Sequence, residues 1–200
     1  MEFREGGILR ILVAEDEPII RMDLCSLLEE LGHQVIGECR NGRDAIKIAQ
    51  ELRPDIVLMD IKMPDVDGLT ATQVIRDKRL SAVVLLTSFS DQNTITKAID
   101  SGALYYLVKP IAREKLKPAL KIAYQRFTDM QRLNQEVKEL SETLSERDII
   151  SRSKIVLQQK LGCSEEAAYK VLRKLSMERQ QRMIVTAKQL LHKYNAYKEC

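Results

Sequence analysis

Residues 57–68 read V-L-M-D-I-K-M-P-D-V-D-G, and this stretch constrains the chain more than any other. Three apolar residues, Val57, Leu58 and Met59, deliver one carboxylate, Asp60, to the end of a buried-strand pattern. Pro64, Asp67 and Gly68 then break the pattern as a strand-to-helix loop does. In an open α/β sheet the C-terminal ends of the parallel strands are where chemistry collects. A lone Asp at such an end can simply cap a turn. Its meaning depends on what the other strand ends bring beside it.

Four further apolar runs, at 8–13, 34–38, 82–86 and 104–108, flank this one and alternate with helical patterns. After Pro18, the positions Ile19, Met22, Leu24, Leu27, Leu28 and Leu31 recur at helical spacing until Gly32. A second helix opens at Asn41-Gly42 and ends before Pro54, a third covers 69–79, and a fourth covers 91–101, closed by Gly102. The strand runs are continuously apolar rather than alternating. That pattern predicts a five-stranded parallel sheet covered by helices on both faces.

The ends of those strands carry a consistent chemistry. The first ends in Glu15-Asp16, the third in Asp60, the fourth in Thr87 and the fifth in Lys109-Pro110. Carboxylates brought together repel one another, which favours a bound divalent cation. An all-oxygen donor set suits Mg²⁺, which keeps several waters and shares phosphate oxygens. A carboxylate beside such an ion can act as nucleophile toward a phosphoryl group, and a Lys ammonium and a Thr hydroxyl suit the phosphoryl oxygens. Singly, each residue has a plainer explanation: Thr87 as a strand former, Lys109 as a surface cation, the acids as first-turn helix residues. Together they point to one site.

On these residues the first part of the chain resembles the receiver domain of two-component response regulators. The resemblance implies a doubly wound, flavodoxin-like α/β fold over 8–122. It makes Asp60 the phosphoacceptor and assigns Mg²⁺ to Glu15, Asp16, Asp60 and the backbone carbonyl of Lys62. It further implies that Thr87 is the switch hydroxyl, Tyr106 the aromatic switch and Lys109 the phosphate-binding cation. Ser88 is small, as such a site requires, and Pro110 follows a cis peptide. A sensor histidine kinase is the implied phosphodonor.

Beyond residue 112 the punctuation changes. Apart from Pro118, no proline or glycine occurs until Gly162, and Leu116, Leu120, Ala123, Phe127, Met130, Leu133, Val137, Leu140 and Leu144 step by fours and threes. With strongly polar neighbours such as Gln131, Arg132 and Glu136, this thin stripe predicts a coiled-coil linker over 123–145 that pairs two copies of the chain. Charge shifts along the way. Residues 1–120 hold 16 Lys and Arg against 19 Asp and Glu, whereas 147–200 hold 12 against 5. A basic segment behind an acidic one suggests a second module that faces a polyanion.

That module, 146–194, reads as three short helices, with Ser164-Glu165-Glu166 as a helix start. Arg147, Ile150, Lys154, Gly162, Ser164, Ala168-Tyr169, Leu172-Arg173, Ser176-Met177 and Ala187 resemble the ANTAR domain, an all-α three-helix RNA-binding unit of transcription antiterminators, of which the ethanolamine-utilisation type is similar. The family's usual Ala-Lys-Gly is Ser153-Lys154-Ile155 here. RNA hairpins present phosphates and splayed bases, which call for Lys, Arg and a stacking group. Lys154, Tyr169, Arg173, Arg179, Gln180 and Lys188 supply those types, with core packing an equal alternative for Tyr169.

The reading is therefore a cytoplasmic, phosphorylation-activated regulator that binds paired RNA hairpins as a homodimer and is not itself an enzyme. A DNA-binding or protein-binding output is the alternative. Cys25, Cys39, Cys163 and Cys200, with His33 and His192, lack zinc-site spacing, and no run approaches the roughly 20 apolar residues of a membrane span.

Overall fold

The computed structural model describes residues 7–88, 96–97 and 100–195. Five strands form one parallel sheet: β1 (Arg10–Ala14), β2 (Gln34–Cys39), β3 (Ile56–Asp60), β4 (Ala82–Thr87) and β5 (Tyr105–Val108), in the order β2-β1-β3-β4-β5. Between them run α1 (Pro18–Glu30), α2 (Gly42–Leu52) and α3 (Gly68–Asp77). The helix expected over 91–101 falls mostly outside the described residues. After β5 come α4 (Arg113–Leu161), α5 (Glu165–Glu178) and α6 (Met183–Asn195). This is the expected doubly wound α/β fold followed by helices.

Alternation along the strands divides the core into two layers. Leu12, Ala14, Val57, Met59, Val83 and Leu85 face Ala45 and Ala49 of α2 and Ala71 and Ile75 of α3. Ile11, Val13, Ile56, Leu58, Val84 and Leu86 face Leu24 and Leu28 of α1 and Leu116, Ala119, Leu120 and Ala123 of α4. Helix starts are fixed by side chains: Asn41 accepts from the N–H of Asp44, and Asp67 from that of Thr70, both at 2.8 Å. The chain reverses its winding between β1 and β3. In such sheets that switch opens a crevice at the carboxyl ends of the strands.

The chain divides into two compact units, residues 1–131 and 132–200, and α4 contributes to both. The apolar stripe expected to pair two copies is thereby split. Leu116, Leu120 and Ala123 are fully buried against the sheet and Phe127 packs beside them, because that stretch serves as the sheet's last covering helix. Leu133, Val137, Leu140 and Leu144 are exposed at 56–65%. In the second unit Leu157, Ala168, Leu172, Ala187 and Leu190 form a small core.

Candidate functional site

Three backbone devices aim the acids at the crevice. Glu15 follows β1 directly, and its N–H donates to the carbonyl of Cys39, the last residue of β2, at 3.0 Å. Asp60 closes β3, and the N–H of Lys62 donates to its Oδ2 at 2.8 Å. Gly68 starts α3 where a Cβ would lie 2.0 Å from the carbonyl oxygen of Asp60, so only glycine allows the helix to sit this close beneath the acid. One carboxylate oxygen each from Glu15, Asp16 and Asp60 lies within 4.8 Å of the others. The strand-end residues singled out in the sequence come together here.

Lys109 completes the cluster from the end of β5, behind a cis peptide to Pro110. Its Nζ lies 2.6 Å from Asp60 Oδ1 and 2.7 Å from Glu15 Oε2. The Lys109 N–H donates to the carbonyl of Thr87 at 2.8 Å, which ties the ends of β4 and β5 together. Thr87 is buried, Tyr106 is half-buried against the α2–α3 layer, and Ser88 and Lys62 are exposed.

Burial dominates the electrostatics. It pushes the carboxyls of both Glu15 and Asp60 up from their ordinary values, with Lys109 pulling each the other way. Burial also works against charge on Lys109, but hydrogen bonds and attraction from Asp60 and Glu15 outweigh it and hold the ammonium above its usual value. Glu15 Oε2 is buried, and the Lys109 ammonium at 2.7 Å is its neighbour. Three clustered carboxylates facing a single ammonium fit a hard oxygen-seeking divalent cation. They do not fit zinc, for which nitrogen and sulfur donors are usual.

The second unit displays its basic residues differently. Tyr169 is 42% exposed and stands one turn from exposed Arg173 on α5, while Leu172 between them is fully buried. Core packing of Tyr169 is thereby set aside. Lys154, on α4, makes an ion pair of 2.5 Å with Glu165 in the first turn of α5. Arg179 donates to Gln189 Oε1 at 2.9 Å, Gln180 sits in the α5–α6 turn at φ 51°, and Lys188 is exposed on α6. The six residues lie on three helices and a turn rather than in one contact cluster.

One contributor was not legible. Arg21 occupies an apolar position of α1, and its Nη1 donates to the Glu15 carbonyl at 2.7 Å. A charge interrupting the stripe Arg21, Leu24, Leu28 was the signal available in the sequence.

Comparison with known proteins agrees with this geometry. Residues 11–121 match the response regulator receiver domain, and 138–191 match the ANTAR domain. The chain is similar to the transcriptional regulatory protein PdtaR of Mycobacterium tuberculosis, 42% identical over 87% of this chain and 85% of that one. Among solved structures, the receiver domain of the response regulator NarL from the same organism superposes with a TM-score of 0.57 at 26% identity, covering 59% of this chain and 97% of that one. The receiver domain of a Pseudomonas aeruginosa sensor histidine kinase superposes with a TM-score of 0.54 at 29% identity, over 60% of this chain and 99% of that one. That structure holds a magnesium ion in its active-site cleft.

Proposed function

Because the chain belongs to the response regulators that join a receiver domain to a C-terminal ANTAR domain, we propose that phosphorylation of Asp60 controls RNA binding by the helical segment over 146–194. The architecture is a regulator's rather than a catalyst's. The observation that carries the reading is the meeting of Glu15, Asp16 and Asp60 with Lys109 at three strand ends.

Asp60 is the nucleophile. The Lys62 N–H holds one of its oxygens and leaves the carboxylate oriented, while Lys109 supplies a positive charge for the arriving phosphoryl group. Glu15, Asp16, Asp60 and the Lys62 carbonyl would hold Mg²⁺, which when bound neutralises phosphoryl oxygens. A sensor histidine kinase is the donor. Thr87, buried beside the cluster, offers its hydroxyl to the new phosphoryl oxygens, and Tyr106 repacks with it.

The readout is dimerisation. The exposed stripe Leu133, Val137, Leu140 and Leu144 is a seam for a second copy within a linker over 123–145, between a receiver over 8–122 and an output domain over 146–194. Two output domains on one dimer suit paired RNA hairpins, contacted through Lys154, Tyr169, Arg173, Arg179, Gln180 and Lys188, and hairpin capture promotes antitermination. Action in the cytoplasm accords with the finding that no helix among the described residues is long and apolar enough to cross a membrane.

The test is binding of the full chain to a paired-hairpin RNA and to matched duplex DNA, across a salt series, with and without a small phosphodonor plus Mg²⁺. RNA preference that appears on phosphorylation, with affinity falling steeply in salt, is the expected result. Preference for duplex DNA makes the protein a DNA-binding regulator. Binding to neither moves the output to a protein partner.

A further inference from the structure

Arg21 places a guanidinium where the helix pattern reserves an apolar side chain. It shares the buried stripe of α1 with Leu24 and Leu28 and is itself 7% exposed. Burying a guanidinium is costly unless its donors are satisfied, and an apolar residue of similar volume is often no worse or better for stability. Its partners are specific. Nη1 donates to the Glu15 carbonyl at 2.7 Å, and Nε donates at 3.1 Å to Glu38 Oε2 on β2, a carboxylate that is half exposed.

These bonds fix one residue from two sides. The Glu15 N–H is held by the Cys39 carbonyl and the Glu15 carbonyl by Arg21, so both main-chain polar groups of the first acid have assigned partners. Asp16 follows in the same chain turn, and both acids belong to the carboxylate cluster. We propose that Arg21, anchored by Glu38, is a positioning residue that sets the Glu15–Asp16 acid pair in the geometry a divalent cation requires. The inference rests on the phosphoacceptor reading above, because it assigns Arg21 to the cation subsite of that centre. Groups that orient metal ligands from behind typically change affinity 10- to 100-fold when removed.

Arg21→Met separates positioning from packing. A residue that only fills the stripe can be replaced by methionine without touching cation affinity. A positioning residue cannot. Isothermal titration of the full chain with Mg²⁺, with thermal unfolding followed in cation-free buffer, reads both. The expected result is an Arg21→Met protein that folds with little loss of stability and has a Mg²⁺ Kd raised about tenfold or more. Arg21→Lys should fall between it and wild type, since an ammonium keeps the charge without the fork that reaches two acceptors. A folded Arg21→Met protein with wild-type Mg²⁺ affinity overturns the proposal. If neither Arg21 variant folds, Glu38→Gln decides, because it loosens the anchor at a half-exposed position; a Kd raised about threefold supports the proposal and an unchanged one overturns it. Failure of the underlying reading looks different: the wild-type protein then shows no Mg²⁺ binding, or Asp16→Asn leaves that binding unchanged.

Discussion

The receiver site and the output surface are built on opposite principles. In the receiver, Glu15, Asp60, Thr87 and Lys109 are pinned by the ends of four parallel strands, and the sheet order decides which of them meet. In the output unit, Lys154, Tyr169, Arg173 and Lys188 project from helix surfaces above a small core formed by Leu157, Ala168, Leu172, Ala187 and Leu190. A strand end has one outlet for a side chain, so residue type at that position reports its use. A helix surface has many outlets, and a basic residue there is compatible with recognition, solvation or a local ion pair.

The comparison breaks most decisively at Asp60. Asp60→Asn removes the nucleophilic oxygen but keeps shape and the backbone bond from Lys62. The expected outcome is complete loss of phosphodonor-dependent dimerisation, measured by light scattering, with basal RNA binding retained. A variant that still dimerises on phosphodonor like wild type sinks the phosphoacceptor assignment.

Thiol labelling sharpens the contrast in rigidity. Burial, with Asp44 nearby, pushes the Cys39 thiol up to about 12, from about 9 for an unperturbed thiol. The sign is clear: a raised pKa leaves less thiolate, so at pH 8 native Cys39 holds roughly a thousandth of the thiolate of the unfolded chain. Alkylation of Cys39 should be suppressed at least that strongly, because its burial also keeps the reagent out, and recover only when the receiver opens. Half-buried Cys163, between α4 and α5, should label well before it. Equal rates for the two would show that the units open together.

The same contrast explains what the sequence could and could not disclose. Apolar runs closed by an acid placed β3 at Ile56–Asp60, matching its observed bounds, and the other strands within a few residues, because a doubly covered sheet leaves little freedom of register. The stripe from Leu116 to Leu144 misled in part. Burial against a sheet and burial against a second helix ask for the same spacing, so the stripe did not tell where the sheet's covering helix ends: Leu116 and Leu120 fell within the expected receiver range, whereas Ala123 and Phe127, expected in the linker, pack on the receiver core. Tyr169 was undecidable for a related reason, lying next to buried Ala168 at the margin of the apolar face. Arg21 was hidden because its partners are a backbone carbonyl and a residue of another strand.

Leu172→Ala tests whether the small output core stands apart. Leu172 is fully buried in a cluster with few large members, so truncation should cost about 2–5 kcal/mol. For so small a unit that approaches the whole of its stability. Calorimetry should show a lost or lowered transition for the output unit, with RNA binding gone and Asp60 phosphorylation at the wild-type rate. A matching fall in phosphorylation would mean that the two units are one cooperative structure.

The smallest expected effect lies on the output surface itself. Lys154→Ala with Arg173→Ala should weaken hairpin binding about tenfold and lower the salt slope by about 2, one for each lost phosphate contact, while phosphorylation is untouched. Unchanged affinity would remove both residues from the RNA surface. Glu165 refines the point, because its carboxylate holds the Lys154 ammonium in the free protein and is drawn down in pKa by it. The pair is exposed on the Glu165 side and worth little to stability, so Glu165→Gln should leave the melting curve alone. If Lys154 reaches RNA phosphate, it must first leave this partner. Glu165→Gln should then tighten hairpin binding a few-fold at low salt, with the gain fading as salt rises. If instead the pair serves to dock α5 on α4, the substitution should not tighten binding at any salt concentration, and Lys154 would belong to the frame that presents Tyr169 and Arg173 rather than to the RNA contact.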